Sequence, residues 1–466
     1  MTDARPQSQP SKRLRGIQAP DAVFMLLVAI FLFSAGFIAL NLNQGIAPDE
    51  DVHFLYSKHF STVFGIPPES QDPVMASLSS SHSPVLYYWL TGRLVNLVHV
   101  VRPGISDIGL LKALRLFNVL LGAGCVIACY SLAREVQKKR WFQLLPPFLL
   151  SMTLMFVVLS GSVSYDNLAN LFCFVAFIHF IRSLSANRKE ANDFLWLIFL
   201  SLGALTKYTV LPLALVMALV RFFFALRENS LALKLDRGLF SRHVVPSVIL
   251  GILLALNLLL YGQNLVRFGS LLPDCTDTYT TAICQVQPLE LRHANAALQQ
   301  PLSIRESIAQ GYPNPLEYIV YSWIPNLLHR IYGVLGHQSY FPTGIIIFYY
   351  LFYAAIFVLA VRKIDRPSPT ITALVVPVVF YLVILLVMNY SNELVFGFKQ
   401  IGMQGRYFFP VLSAAYVLVG KVLESIRSRS MRMIALALTL VLFSAGGPIN
   451  FFLRANTSFK GWFNLP

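Results

Sequence analysis

This sequence predicts an all-α, polytopic membrane protein, and three observations predict it. Apolar residues fill 56% of 466 positions and charged residues only 13%, about half the charged share of a soluble chain. Mean hydropathy is +0.61. The apolar residues gather into runs of bilayer length separated by polar, often basic, turns. The net charge of +15 could point to nucleic acid, but the basic residues fall mostly in turns on one side of the predicted topology. That pattern is the positive-inside signature, and it excludes nucleic acid as a partner.

In chain order, 1–21 reads as a disordered cytoplasmic tail carrying Arg5, Lys12, Arg13 and Arg15. The remainder, 22–466, reads as a single transmembrane domain. Ala22–Leu42, about 21 residues, suffices to cross ~30 Å of hydrocarbon and is too long for a signal-peptide core. An outer segment, 43–108, then holds amphipathic interfacial helices. Further spans are expected near 110–133, 142–160, 166–182, 244–261, 341–361, 371–389, 407–423 and 431–447. The apolar stretch 194–226 would form one helix of ~50 Å, so it reads as two short spans meeting near Lys207. The total is about eleven transmembrane helices, with the N-terminus cytoplasmic and the C-terminus outside. A second outer loop, 262–340, carries Cys275 and Cys284, and an oxidising compartment permits a bridge between them. Cys125, Cys129 and Cys173 fall in apolar runs and read as packing residues.

The chain is organised around NQGIAPDEDVHFLYSKHF, residues 43–60. Pro48 marks a helix start, and Val52, Leu55, Tyr56, Phe60, Val63 and Phe64 recur at three- and four-residue steps, as on a helix lying along a membrane surface. Asp49, Glu50 and Asp51 crowd its beginning, and His53 stands four residues after Asp49. Asp49 is either the cap of this helix or a catalytic acid. The topology brings Asp166, Lys207, Arg406 and Arg115 to the same outer mouth. Charges at membrane depth are costly and face a cavity or a partner, although each cation could instead anchor to lipid headgroups. Acids joined to Lys and Arg suit a site that handles a phosphate on one side and a proton on the other. No Gly-rich phosphate loop, zinc spacing or nucleophile elbow is present.

Pro48-Asp49-Glu50 after one span, then Ser83-Pro84-Val85-Leu86-Tyr87-Tyr88, resemble the GT-C glycosyltransferases. Gln404-Gly405-Arg406-Tyr407 with Pro410, the Tyr165-Asp166 turn and Thr206-Lys207-Tyr208 narrow the resemblance to the bacterial branch called domain of unknown function 2142. The resemblance implies a polyprenyl-phosphate-linked sugar donor and transfer on the outer face of the cytoplasmic membrane. It makes Asp49 the catalytic base, with Glu50 as the competing acid. Asp166 matches an acid that in some members helps bind a divalent metal, Mg or Mn, and Glu50 and His53 could share that metal or orient Asp49. Donor binding would then fall to Lys207, Arg406, Tyr407, Tyr87, His53 and His82. One departure stands out: relatives that transfer aminoarabinose carry an acid–lysine pair where His82-Ser83 stand here.

The expected function is a membrane glycosyltransferase acting on a glycan, lipid or protein acceptor. The alternative is a transporter or flippase for a lipid-linked or anionic solute, using the same charges as a pathway. Transporters often show matched broken helices, and only the pair near Lys207 is broken here.

Overall fold

The computed structural model describes residues 19–68, 82–184, 190–227, 242–285, 293–362, 368–400, 402–458 and 461–464. Outside them lie the basic residues Arg5, Lys12, Arg13, Arg15, Arg188, Lys189, Lys234, Arg237, Arg292, Lys363, Arg366 and Lys460, and the terminal Pro466.

The first apolar run folds as α1 (Ala19–Asn41). The segment after it supplies α2 (Glu50–Ser61) and α3 (Leu86–Val101) before the long α4 (Asp107–Val136). Next come the short α5 (Leu145–Ser151) and α6 (Leu154–Ser160), bent by 68° where the sequence suggested one span over 142–160. At the bend the Thr153 hydroxyl bonds back to the Leu149 carbonyl at 2.8 Å and meets the Tyr416 hydroxyl at 2.6 Å, so the break is satisfied inside the protein. α7 (Asp166–Ser183), α8 (Ala191–Thr206) and α9 (Val210–Arg227) follow. The break between α8 and α9 falls at Lys207, as expected. Beside the break, Tyr261 and Tyr381 donate their hydroxyls to the carbonyls of Ala204 and Thr209, at 2.6 and 3.0 Å.

α10 (Val244–Asn257) runs on through a π-turn and a further helical turn to Phe268, past the expected end at 261. The long loop expected at 262–340 is more structured than its composition suggested. It closes the expected bridge, Cys275–Cys284, and continues into α11 (Ile324–Tyr332) and a hairpin of β1 (Val334–Leu335) with β2 (Ser339–Tyr340). Leu327, Leu328, Ile331, Tyr332 and Val334 are buried in the main core, so this part of the loop is interior structure. α12 (Thr343–Val361), α13 (Pro369–Phe396), the 3-10 segment Gly405–Val411 with α14 (Leu412–Glu424), α15 (Arg429–Gly446) and α16 (Pro448–Ser458) complete the chain.

Among the described residues eight helices are long and apolar enough to cross a membrane, or nine if the bent α5–α6 pair counts as one span. Two segments expected to span fall short of that measure. α8 has only 16 residues, and α7 opens on the polar Asp166, Asn167 and Asn170. The fold is therefore an all-α polytopic membrane architecture, with a smaller qualifying helix count than the eleven read from the sequence.

α2 and α3 help form a second hydrophobic core beside the first. Phe54, Phe60, Tyr87 and Tyr88 of α2 and α3 pack on Leu110, Leu111 and Leu114 of α4 and on Val163. Gly92 permits this, because a Cβ there would lie 2.7 Å from the Phe60 carbonyl carbon. Not every apolar position of the first outer stretch turns inward: Leu55, Val63 and Phe64 are exposed. The C-terminal residues return to the same side as this layer. The Asn43 amide donates to the Trp462 carbonyl and the Asn464 amide to the Asn41 carbonyl, both at 2.9 Å.

Candidate active site

Asp49 and Glu50 sit where α1 gives way to α2, and the backbone between them decides what each can do. Asp49 takes a left-handed conformation, φ 58°, ψ 10°, uncommon for a residue other than glycine and best tolerated by Asn and Asp. It occupies the capping position of α2, yet its side chain makes no capping hydrogen bond. The carboxylate instead accepts from Arg406 Nη2.

Glu50 begins α2 and is fully buried. Its Oε1 accepts from Arg115 Nε at 2.8 Å and from the Val163 amide at 2.9 Å, and its Oε2 accepts from Arg115 Nη2 at 2.5 Å. Arg115 also donates to the Leu42 carbonyl at 2.6 Å. This closed cluster ties α1, α2, α4 and the turn before α7 together. Both oxygens of Glu50, expected as a catalytic or metal-ligating acid, are engaged by Arg115 and the Val163 amide. Arg115, 1% exposed, is not a headgroup anchor.

Four charged residues, far apart in sequence, meet at one site. Asp166 opens α7, with its amide held by Ser164 Oγ at 3.2 Å. Lys207, at the break between α8 and α9, donates to Asp166 Oδ1. Arg406, in the 3-10 segment, reaches Asp49 with Nη2 and lies 3.7 Å from Asp166 Oδ2 through Nη1. Lys207 Nζ stands 5.0 Å from the ring centres of both Tyr165 and Tyr407, so two aromatic faces flank its charge. The carboxylates and cations balance. Only Asp49 is substantially exposed, at 54%, against 6% for Arg406 and 3% for Lys207.

Gly405 sets the position of Arg406. A Cβ there would lie 2.3 Å from the Arg330 carbonyl oxygen, so only glycine lets the 3-10 segment press against α11. The Arg330 guanidinium donates to the Met403 carbonyl and fastens the same approach.

His53, one helical turn after Asp49, is buried with Nδ1 2.7 Å from the Tyr88 hydroxyl and its ring edge-on to Tyr165. Burial pushes its pKa down to about 4 against the pull of Asp49, so it is neutral near pH 7. Partial burial alone would raise the Asp49 carboxyl. Arg406 outweighs that, with help from His53 and His337, and holds it below the usual carboxylate range.

The other expected binding residues are placed differently. Tyr407 flanks the cations as anticipated. Tyr87 is fully buried, accepting from Asn118 Nδ2 at 2.7 Å inside the second core. His82 clasps Asn264: its Nδ1 is 3.1 Å from Asn264 Oδ1, and its carbonyl accepts from Asn264 Nδ2 at 2.8 Å. Tyr88 and Tyr165, which line the site, carried no sequence signal beyond their places in Leu-Tyr-Tyr and Tyr-Asp.

The expected Mg or Mn site does not fit the residues present. Asp166 is committed to Lys207 and Arg406, Asp49 to Arg406, and Glu50 to Arg115. Among the described residues no group of three His, Cys, Asp or Glu side chains converges as metal ligands.

Residues 109–266 match the family model described as dolichyl-phosphate-mannose-protein mannosyltransferase. No curated protein sequence matches the chain. Among solved structures, the apo form of ArnT from Cupriavidus metallidurans is 16% identical, with a TM-score of 0.46, over 90% of this chain and 63% of that one. The same protein bound to undecaprenyl phosphate gives 0.45 at 16% identity, over 90% and 64%. The apo oligosaccharyltransferase of Archaeoglobus fulgidus gives 0.49 at 16% identity, over 95% and 59%. The chain thus spans roughly three-fifths of the length of these structures. Over the segment that carries Arg115, Asp166 and Lys207, it is similar to the dolichyl-phosphate-mannose-protein mannosyltransferases, a family within the GT-C class whose motifs the sequence resembles.

Proposed function

We propose that this protein is a GT-C-type membrane glycosyltransferase. It transfers a sugar from a polyprenyl-phosphate donor to an acceptor on the outer face of a bacterial cytoplasmic membrane. The observation that carries this reading is the charged quartet in which buried Arg406 joins the exposed carboxylate of Asp49 to buried Asp166 and Lys207. Asp49 is the base: it takes the proton of an acceptor hydroxyl as that oxygen attacks the anomeric carbon and the sugar–phosphate bond breaks. Arg406 and Lys207, both buried, stabilise the charge that gathers on the departing phosphate. Asp166 orients the two cations, and neutral His53 with Tyr88 and Tyr165 walls the site. The match to a family named for a dolichyl-phosphate sugar supports the donor class. The finer placement, domain of unknown function 2142, rests on the motifs alone.

The test is a deletion strain carrying Arg406→Lys, with surface glycans and glycolipids compared by mass spectrometry. Lysine keeps the charge but loses the planar fork, so a strong loss of the product is expected at normal expression. Wild-type product levels in that strain would contradict the phosphate-binding role. A solute exported normally by the wild type but not by Asp49→Asn, with no glycan changed, would favour the transporter.

A further inference from the structure

Two arginines in this protein hold adjacent carboxylates, and they hold them differently. Arg115 uses both Nε and Nη2 on Glu50, closing the two-point fork in a fully buried pair. Arg406 uses Nη2 alone on Asp49, and its Nε is buried without a hydrogen-bond partner. Burying an unpaired donor is costly, and a guanidinium edge with one free N–H is built for a two-oxygen anion. Asp49 is also the only member of the quartet that can leave without unpacking, being half exposed while the other three are buried.

We propose that Asp49 is the resting anion of the phosphate site. The donor's phosphate displaces Asp49 from Arg406, takes both Nε and Nη2, and so frees the carboxylate to act as base only when a donor is seated. This inference rests on the reading of Arg406 given above and adds an order to it: donor first, acceptor proton second. Departure of Asp49 leaves the three buried groups with one surplus positive charge facing the incoming anion. Arg406 does not follow Asp49 outward, because Gly405 and its contact with Arg330 fix the backbone. Separation from Arg406 also raises the proton affinity of Asp49, which suits a base. Asp49 therefore competes with the lipid for one arginine, and competition has a sign that binding can read.

The experiment titrates undecaprenyl phosphate into the purified full-length protein in nanodiscs, with inorganic phosphate as a parallel arm. Asp49→Asn removes the competing charge and should bind undecaprenyl phosphate about ten-fold more tightly than wild type. Asp49→Ala should do the same, which excludes a new bond from the asparagine amide. Arg406→Ala should bind more weakly, and Arg406→Lys provides the same comparison if the alanine variant does not fold. Tighter lipid binding in both Asp49 variants, with or without a smaller gain for inorganic phosphate, supports the inference. Unchanged or weaker lipid binding in those variants, with the Arg406 variants weakened, overturns it and leaves the phosphate reading standing. Arg406 variants that bind the lipid as wild type does would overturn both. A gain for inorganic phosphate alone would assign the fork to a soluble anion.

Discussion

Asp49 and Glu50 are chain neighbours whose carboxylates answer to different arginines. Asp49, 54% exposed, reaches Arg406 across 357 positions, and Glu50, fully buried, reaches Arg115 across 65. The left-handed turn at Asp49 separates the two side chains. One acid is left at the mouth, and the other is locked beneath it.

Glu50→Gln should therefore damage the fold more than the chemistry. It leaves the buried Arg115 without its counter-charge, a loss of about 3–5 kcal/mol for a broken buried pair. The expected outcome is a lower melting temperature and poor yield of inserted protein, read by thermal unfolding in detergent. Wild-type stability with lost activity would return Glu50 to the catalytic machinery.

Gly405→Ala should act in the opposite way. The added methyl meets the Arg330 carbonyl oxygen, so the 3-10 segment must shift and carry Arg406 with it. A displacement near 1 Å at a positioned group costs on the order of 10²-fold in rate. Product analysis at matched expression should show that loss, and full activity would mean that Arg406 tolerates the shift.

How much of this was legible in the sequence differs by element. The apolar runs and the break at Lys207 were, because helical length against bilayer thickness is a local property. Asp49, Asp166, Lys207 and Arg406 could also be singled out as candidates, since charges beside apolar runs stand out. Their pairing was not, because it depends on contacts such as Arg406 with Asp49 that no local pattern encodes. Glu50 could not be told from Asp49 by motif, as only the backbone turn separates their roles. Arg115 looked like a snorkelling residue for the same reason: its partner lies 65 positions away. α11 was hidden in a polar loop, its short apolar face visible only once Leu327, Leu328 and Ile331 meet the core.

Chelation should leave transfer unchanged. Each acid of the site is matched to a cation of the protein itself, and Lys207 occupies Asp166. Activity in membranes treated with EDTA should equal that of untreated membranes. Activity lost to EDTA and restored by Mg or Mn would return a metal to Asp166.

His53 should give the protein an acid-sensitive stability. Its pKa is about 4 in the folded state against 6.5 for the free side chain, so the unfolded chain binds its proton first as pH falls. Stability from this group is present above pH 6.5 and lost as pH drops toward 4, by a few kcal/mol for a buried histidine. The melting temperature should fall through that window, and His53→Gln should flatten the slope. An identical slope in the variant would place the acid sensitivity elsewhere.

The most direct test of the account is transfer by Asp49→Asn. Asparagine tolerates the left-handed backbone as aspartate does, and no capping bond is lost, because Asp49 makes none. The variant should fold and insert normally. Its amide cannot accept a proton near neutral pH, and a positioned base is worth ~10²–10⁴ in rate. A deletion strain complemented with Asp49→Asn should express the protein at wild-type levels and lack the surface glycan product by mass spectrometry. Full restoration of that product would contradict the assignment of Asp49 as the base.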